Sequence, residues 1–192
     1  MFSPSPYGWI SQYFLGFFFA YGVYLPFWAL WFEDQGVSAG DIGVLIGIGF
    51  ATRCVANLVI TPRIHNVENL LPALRWLSFA SLLFVGFHFF TGGSFLLMLL
   101  ATVLFNLCCG PVIPLSDAMA NHYSRLKMLD YGRTCLWGSI AFIAGSTVAG
   151  YLVVQFGTDM ILYTALVGVL LSLLLVIEQA LQRVSDQHVL SF

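Results

Sequence analysis

Six apolar runs, each long enough to cross a bilayer, divide this chain at about 9–32, 40–61, 72–91, 95–121, 132–155 and 159–180. A spanning helix needs about 20 apolar residues. Lipid offers no hydrogen bonds to the backbone, so such runs must satisfy their own peptide groups as helices. The links between them are short and polar or marked by glycine, as at Thr91-Gly92-Gly93-Ser94. Composition agrees, with 59% hydrophobic and only 8% charged residues, against about 25% charged in a soluble domain. A single globule of 192 residues cannot hide that much apolar surface. The expected fold class is therefore an all-α integral membrane protein with six transmembrane helices, with the lipid bilayer as its surroundings. Residues 1–180 are expected to form one bundle and 181–192 a polar tail.

The cations set an orientation. Arg63 and Arg75 flank the second link, Arg125, Lys127 and Arg133 the fourth, and Arg183 follows the last span. The first link carries Glu33 and Asp34, the third no charge, and the fifth only Asp159. Six of the seven cations thus fall on one side. By the positive-inside rule that side is the cytoplasm, with both termini on it.

The seventh cation, Arg53, lies well inside the second span, with Asn57 one turn further along the same face. An intramembrane charge is costly and points to a hydrated cavity or to a buried partner. Asp117 lies about two turns inside the fourth span, where Asn106, Gly110, Asp117 and Asn121 fall at helical spacing. Pro111 and Pro114 loosen this helix and free backbone carbonyls, which a cavity tolerates and lipid does not. Hydration at the cytoplasmic end is the alternative setting for Asp117. In the first span Tyr13, Phe17, Tyr21, Tyr24 and Trp28 recur every third or fourth residue. Such a stripe either lines a pocket or packs against neighbours.

Small residues mark two faces suited to close helix packing: Gly43 with Gly47, and Gly138, Ser139, Gly145, Ser146 and Gly150. Cys54, Cys108, Cys109 and Cys135 sit in apolar runs without metal-binding spacing and read as small core residues. His65, His88, His122 and His188 form no ligand pair, so no metal and no cofactor is expected. The net charge of -2 gives no footprint for nucleic acid. The N-terminus lacks a basic segment followed by a cleavage site, so no signal peptide is expected. An intramembrane serine protease would need a histidine facing Gly145-Ser146, and the last two spans have none.

The segments YFLGFFFAYGVYLPFWALWF in span one, PLSDAMAN in span four and LDYGRTCLWGSIAFIAGS opening span five carry a resemblance. Together they resemble the N-terminal half of the major facilitator superfamily, in its lactose permease-like branch. The resemblance runs to about residue 177. It implies one half of a fold in which two six-helix halves rock about a solute site at the bilayer midplane. It further implies a transporter, not an enzyme, for a small organic acid. Proton-coupled uptake of 3-phenylpropionate or a similar aromatic acid across the bacterial inner membrane is the expectation. Asp117, Arg53, Asn57, Asn121, Tyr21 and Tyr24 are then the cavity residues. Arg133, Cys135, Gly138, Ser139, Gly43 and Gly47 are structural or gating positions. A second six-span half, or a second copy, is needed for transport.

Two departures bear on that expectation. Relatives carry a second basic residue just after Tyr-Gly-Arg, where this chain has Cys135. In lactose permease that arginine pairs with a carboxylate at the position matching Asp117, and cysteine supplies no permanent cation. The superfamily motif after span two is reduced to TPRIHNVENL. A truncated, non-transporting membrane remnant is accordingly the alternative reading.

Overall fold

The apolar runs all fold as helices in the computed structural model, which describes residues 6–64, 66–127 and 129–190. Side chains are described for 8–64, 66, 68–127 and 129–177, so His65, Arg183 and His188 lie outside them. The helices are α1 (Pro6–Asp34), α2 (Ala39–Val59), α3 (Val67–Phe87), α4 (Phe95–Cys109), α5 (Val112–Arg125), α6 (Tyr131–Phe156) and α7 (Met160–Leu190). Helices α4 and α5 make one span, interrupted at Gly110-Pro111, so the described residues hold six segments long and apolar enough to cross a membrane. No strand occurs among the described residues.

Local chemistry sets the ends. Ser38 caps α2, its hydroxyl accepting from the Asp41 amide at 3.3 Å and donating to the Asp41 carboxylate at 2.7 Å. Asp130 caps α6 by accepting from the Arg133 amide at 3.3 Å. Gly157 ends α6 with φ 94°, a conformation that glycine adopts without steric cost. Proline explains the break in the fourth span. Pro111 has no amide hydrogen to continue the α4 ladder, so the chain restarts with the Leu115 amide donating to the Pro111 carbonyl at 3.1 Å. The expected stripe from Asn106 to Asn121 is therefore not one continuous helical face. Asn106 is buried in α4, Asp117 is half-buried in α5, and Asn121 is exposed.

Helix α1 is the centre of the bundle and packs chiefly on α6 and α7. Without a hydrophobic force between helices in lipid, close packing and hydrogen bonds must hold them. A Cβ at Gly22 would collide with the Phe142 carbonyl, and one at Gly145 with the Phe19 carbonyl. Between these contacts Ser146 Oγ donates to the Gly22 carbonyl at 2.7 Å. On the other side, a Cβ on Gly168 would sit 2.7 Å from that of Ala20. The small-residue face of α6 is thus used inside the bundle. That of α2 is not: Gly43 and Gly47 are exposed, and a Cβ at either would meet nothing within 4 Å.

The aromatic stripe of α1 is mostly packing. Tyr13, Phe17 and Trp28 are buried, and adjacent rings run in contact from Trp9 to Trp31. Tyr21 and Tyr24, the half-buried rungs of that ladder, reach polar partners.

Candidate functional site

Helix α2 leans on α4 where both backbones are thinned. A Cβ on Gly49 would lie 2.9 Å from Asn106 Nδ2, and one on Gly110 would lie 2.9 Å from Arg53 Cγ. This crossing places Arg53 beside Asn106 and sinks it to 8% exposure. Nη1 donates to the Tyr21 hydroxyl at 2.7 Å and Nη2 to Asn106 Oδ1 at 3.1 Å. Asn106 Nδ2 in turn donates to the Thr102 carbonyl at 2.9 Å and to the Tyr24 hydroxyl at 3.0 Å. The guanidinium carbon also lies 5.1 Å from the Tyr21 ring centroid and 5.6 Å from that of Tyr24. Desolvated cation–π contacts of this kind contribute up to about 2 kcal/mol each.

These partners are all neutral. They orient the cation without cancelling its charge. Arg53 Nε is buried with no hydrogen-bond partner among the described residues, and so is Asn57 Oδ1 one turn along α2. A guanidinium has five N–H donors in a fixed fork. The unpaired Nε–H, with the remaining Nη hydrogens, can still receive a carboxylate.

Asp117 belongs to a different opening. An open cleft of about 410 Å³ lies between α1, α5 and α6. Phe14, Phe18, Phe142 and Ile143 wall it, and Asp117, Tyr131, Cys135 and Ser139 supply its polar atoms. The Tyr131 hydroxyl donates to Asp117 Oδ1 at 3.3 Å. Arg53 and Asp117 do not meet in one cavity. Tyr21 joins the two places, since its hydroxyl accepts from Arg53 while its ring lines the cleft.

The remaining expected residues scatter around this pair of sites. Cys135 and Ser139 line the cleft, and Ser139 Oγ donates to the Cys135 carbonyl at 3.3 Å. Gly138 is buried against the Phe18 ring, where a Cβ would sit 2.9 Å from Cδ2. Arg133 is exposed in the first turn of α6, away from the cleft lining. Two residues that the site needs carry weaker sequence signals. Asn106 anchors Arg53, and its signal was an amide inside an apolar span. Tyr131 holds Asp117, and it stands in the same LDYGR segment as Arg133.

The helical arrangement has a counterpart among known sequences. Residues 7–189 match the MFS_1 like family. The chain is 39% identical over 161 residues to the "Probable 3-phenylpropionic acid transporter" of Escherichia coli (strain K12), covering 84% of this chain and 42% of that protein. It is 26% identical over 137 residues to the "Maltose permease" of Geobacillus stearothermophilus, covering 70% of this chain and 34% of the relative. The matched region thus spans less than half the length of either relative. No solved structure gives a significant match. With six helices fit to cross the bilayer and a family match over nearly its whole length, the chain is a multi-pass membrane protein of the MFS_1 like family, within the major facilitator superfamily of transporters.

Proposed function

We propose that this chain is the N-terminal, solute-binding half of a transporter for a small organic acid, with 3-phenylpropionate or a similar aromatic acid as its solute. One observation carries this reading. Among the described residues Arg53 is a buried guanidinium held only by neutral groups, among aromatic rings, with Nε still unpaired. A carboxylate supplies the missing charge, and an aryl group suits the rings of Tyr21 and Tyr24. The name of the Escherichia coli relative points the same way.

Uptake is proton-coupled across the inner membrane in this proposal, with both termini in the cytoplasm. Transport needs a second six-helix half or a second copy. The exposed faces of α2, with Gly43 and Gly47, and of α6, with Ile143 and Val154, are free to meet it. Alternating access then follows from rocking of two halves about the midplane.

Cys135 favours a second reading, a non-transporting remnant. It lines the Asp117 cleft and brings no cation to it. Uptake of labelled 3-phenylpropionate by cells expressing the chain, with and without a complementary half, decides between them. Uptake that needs the partner and collapses with the proton gradient supports a transporter half. No uptake under either condition supports the remnant.

A further inference from the structure

Helices α3 and α7 leave a groove between them, far from the Arg53 site. Trp76 and Phe79 of α3 and Ile177 of α7 stand exposed along it, the buried Leu173 forms its floor, and it encloses about 240 Å³. Arg75, also exposed, puts a cation in this apolar lining. Among the described residues Arg75 has no hydrogen bond and no ion pair. Two observations say what the groove faces. The first is its level. Arg75 lies a little over two turns into α3, which begins at Val67 beside the turn that holds Arg63. Arg125 and Lys127, at the end of α5, belong to the same end of the bundle. Helical side chains lean toward the N-terminus, and a long cationic stem carries its charge from the hydrocarbon to the headgroups. The second is the aromatic pattern. Trp76 is 72% exposed at this end of the α3–α7 pair. At the other end Phe89 and Tyr163 are exposed, their ring centroids 5.1 Å apart. Aromatic rings at both ends mark a face that meets lipid.

We propose that this groove is a binding site for one anionic phospholipid of the leaflet at the cation-rich end, its phosphate on Arg75 and an acyl chain laid between α3 and α7. A guanidinium in an apolar wall lacks a counter-ion, and its fork of N–H donors matches two phosphate oxygens. Basic pockets between spanning helices hold anionic headgroups in this way. The apolar floor chooses between sources of phosphate. An acyl chain fills it with van der Waals contacts, whereas inorganic phosphate gains nothing from it. The proposal does not depend on the solute reading, since Arg53 lies at the α2–α4 crossing and lines no part of this groove.

The test titrates the purified chain in detergent with phosphatidylglycerol or phosphatidylcholine of the same acyl chains and reads bound lipid by native mass spectrometry. Phosphatidylglycerol is expected to bind about fivefold tighter, as one cation at headgroup level allows. Arg75→Gln removes that preference and leaves phosphatidylcholine binding as it was, which also shows that the variant is folded. Arg75→Lys keeps the charge and the preference. Arg125→Gln removes an exposed cation of the same end outside the groove and leaves the preference intact. Ile177→Trp fills the groove and lowers phosphatidylglycerol binding. Equal binding of the two lipids, or a preference that survives Arg75→Gln, overturns the inference. So does an equal loss in Arg125→Gln, which would mark a general surface charge. Displacement of the lipid by millimolar inorganic phosphate would assign Arg75 to a free anion and overturn it as well.

Discussion

Arg53 Nη2 lies 3.1 Å from Asn106 Oδ1, across the crossing of α2 and α4. The same amide reaches Tyr24 on α1 through Nδ2, so one side chain fastens a cation from α2 to α4 and α1. Replacing Asn106 by Leu removes the acceptor from a buried charge. A hydrogen bond to a charged group contributes about 1.5–3 kcal/mol. A loss of that size is expected for Asn106→Leu in a thermal melt in detergent, and a smaller one for Asn106→Asp, which keeps an acceptor. A Leu variant as stable as the parent chain would show that the pair does not hold the crossing.

The glycines separate into two classes by what a Cβ would strike. At Gly22 and Gly145 it strikes backbone carbonyls across the α1–α6 contact. Overpacking of this kind costs roughly 1–3 kcal/mol, and a backbone neighbour cannot swing aside. Gly22→Ala and Gly145→Ala are expected to lower the melting temperature of the chain clearly. Gly43→Ala and Gly47→Ala meet open space and replace a poor helix former by a good one, so neither should lower it. In an assembly with a second half, the α2 pair should instead weaken association, read by co-purification.

Tyr131 and Cys135 lie one turn apart on α6 and both line the Asp117 cleft. Tyr131→Phe removes one hydrogen bond between α5 and α6, for an expected loss of about 0.5–1.5 kcal/mol. Cys135→Arg adds a guanidinium to the lining of the cleft that holds Asp117. It is expected to raise uptake in a chain completed by a second half. Unchanged uptake in that variant would count against pairing across the cleft.

Hydropathy made the helices readable because lipid leaves the backbone no alternative to them. Arg53 was readable for the same reason, since an ionised residue in an apolar run needs a purpose. Its anchor was not, because Asn106 lies 53 residues away and only the α2–α4 crossing brings the two together. Pro111 and Pro114 announced a loosened span. Their effect on the stripe from Asn106 to Asn121 depended on where the helix restarted, at Val112. Periodicity placed Tyr13, Phe17, Tyr21, Tyr24 and Trp28 on one face but could not say what the face meets. Most of it turns into the bundle, and the three tyrosine hydroxyls find polar partners there. Small-residue spacing likewise marked two helices, while only the neighbours decide that α6 uses its face against α1 and that α2 keeps its own open.

The most direct test of Arg53 as the carboxylate site is the affinity of the purified chain for 3-phenylpropionate beside that of Arg53→Gln. Glutamine keeps hydrogen-bonding capacity toward Tyr21 and Asn106 and removes a costly buried charge, so the variant is expected to remain folded. Loss of one charge-assisted contact predicts affinity at least about tenfold weaker. Equal affinity of parent and variant would contradict the assignment.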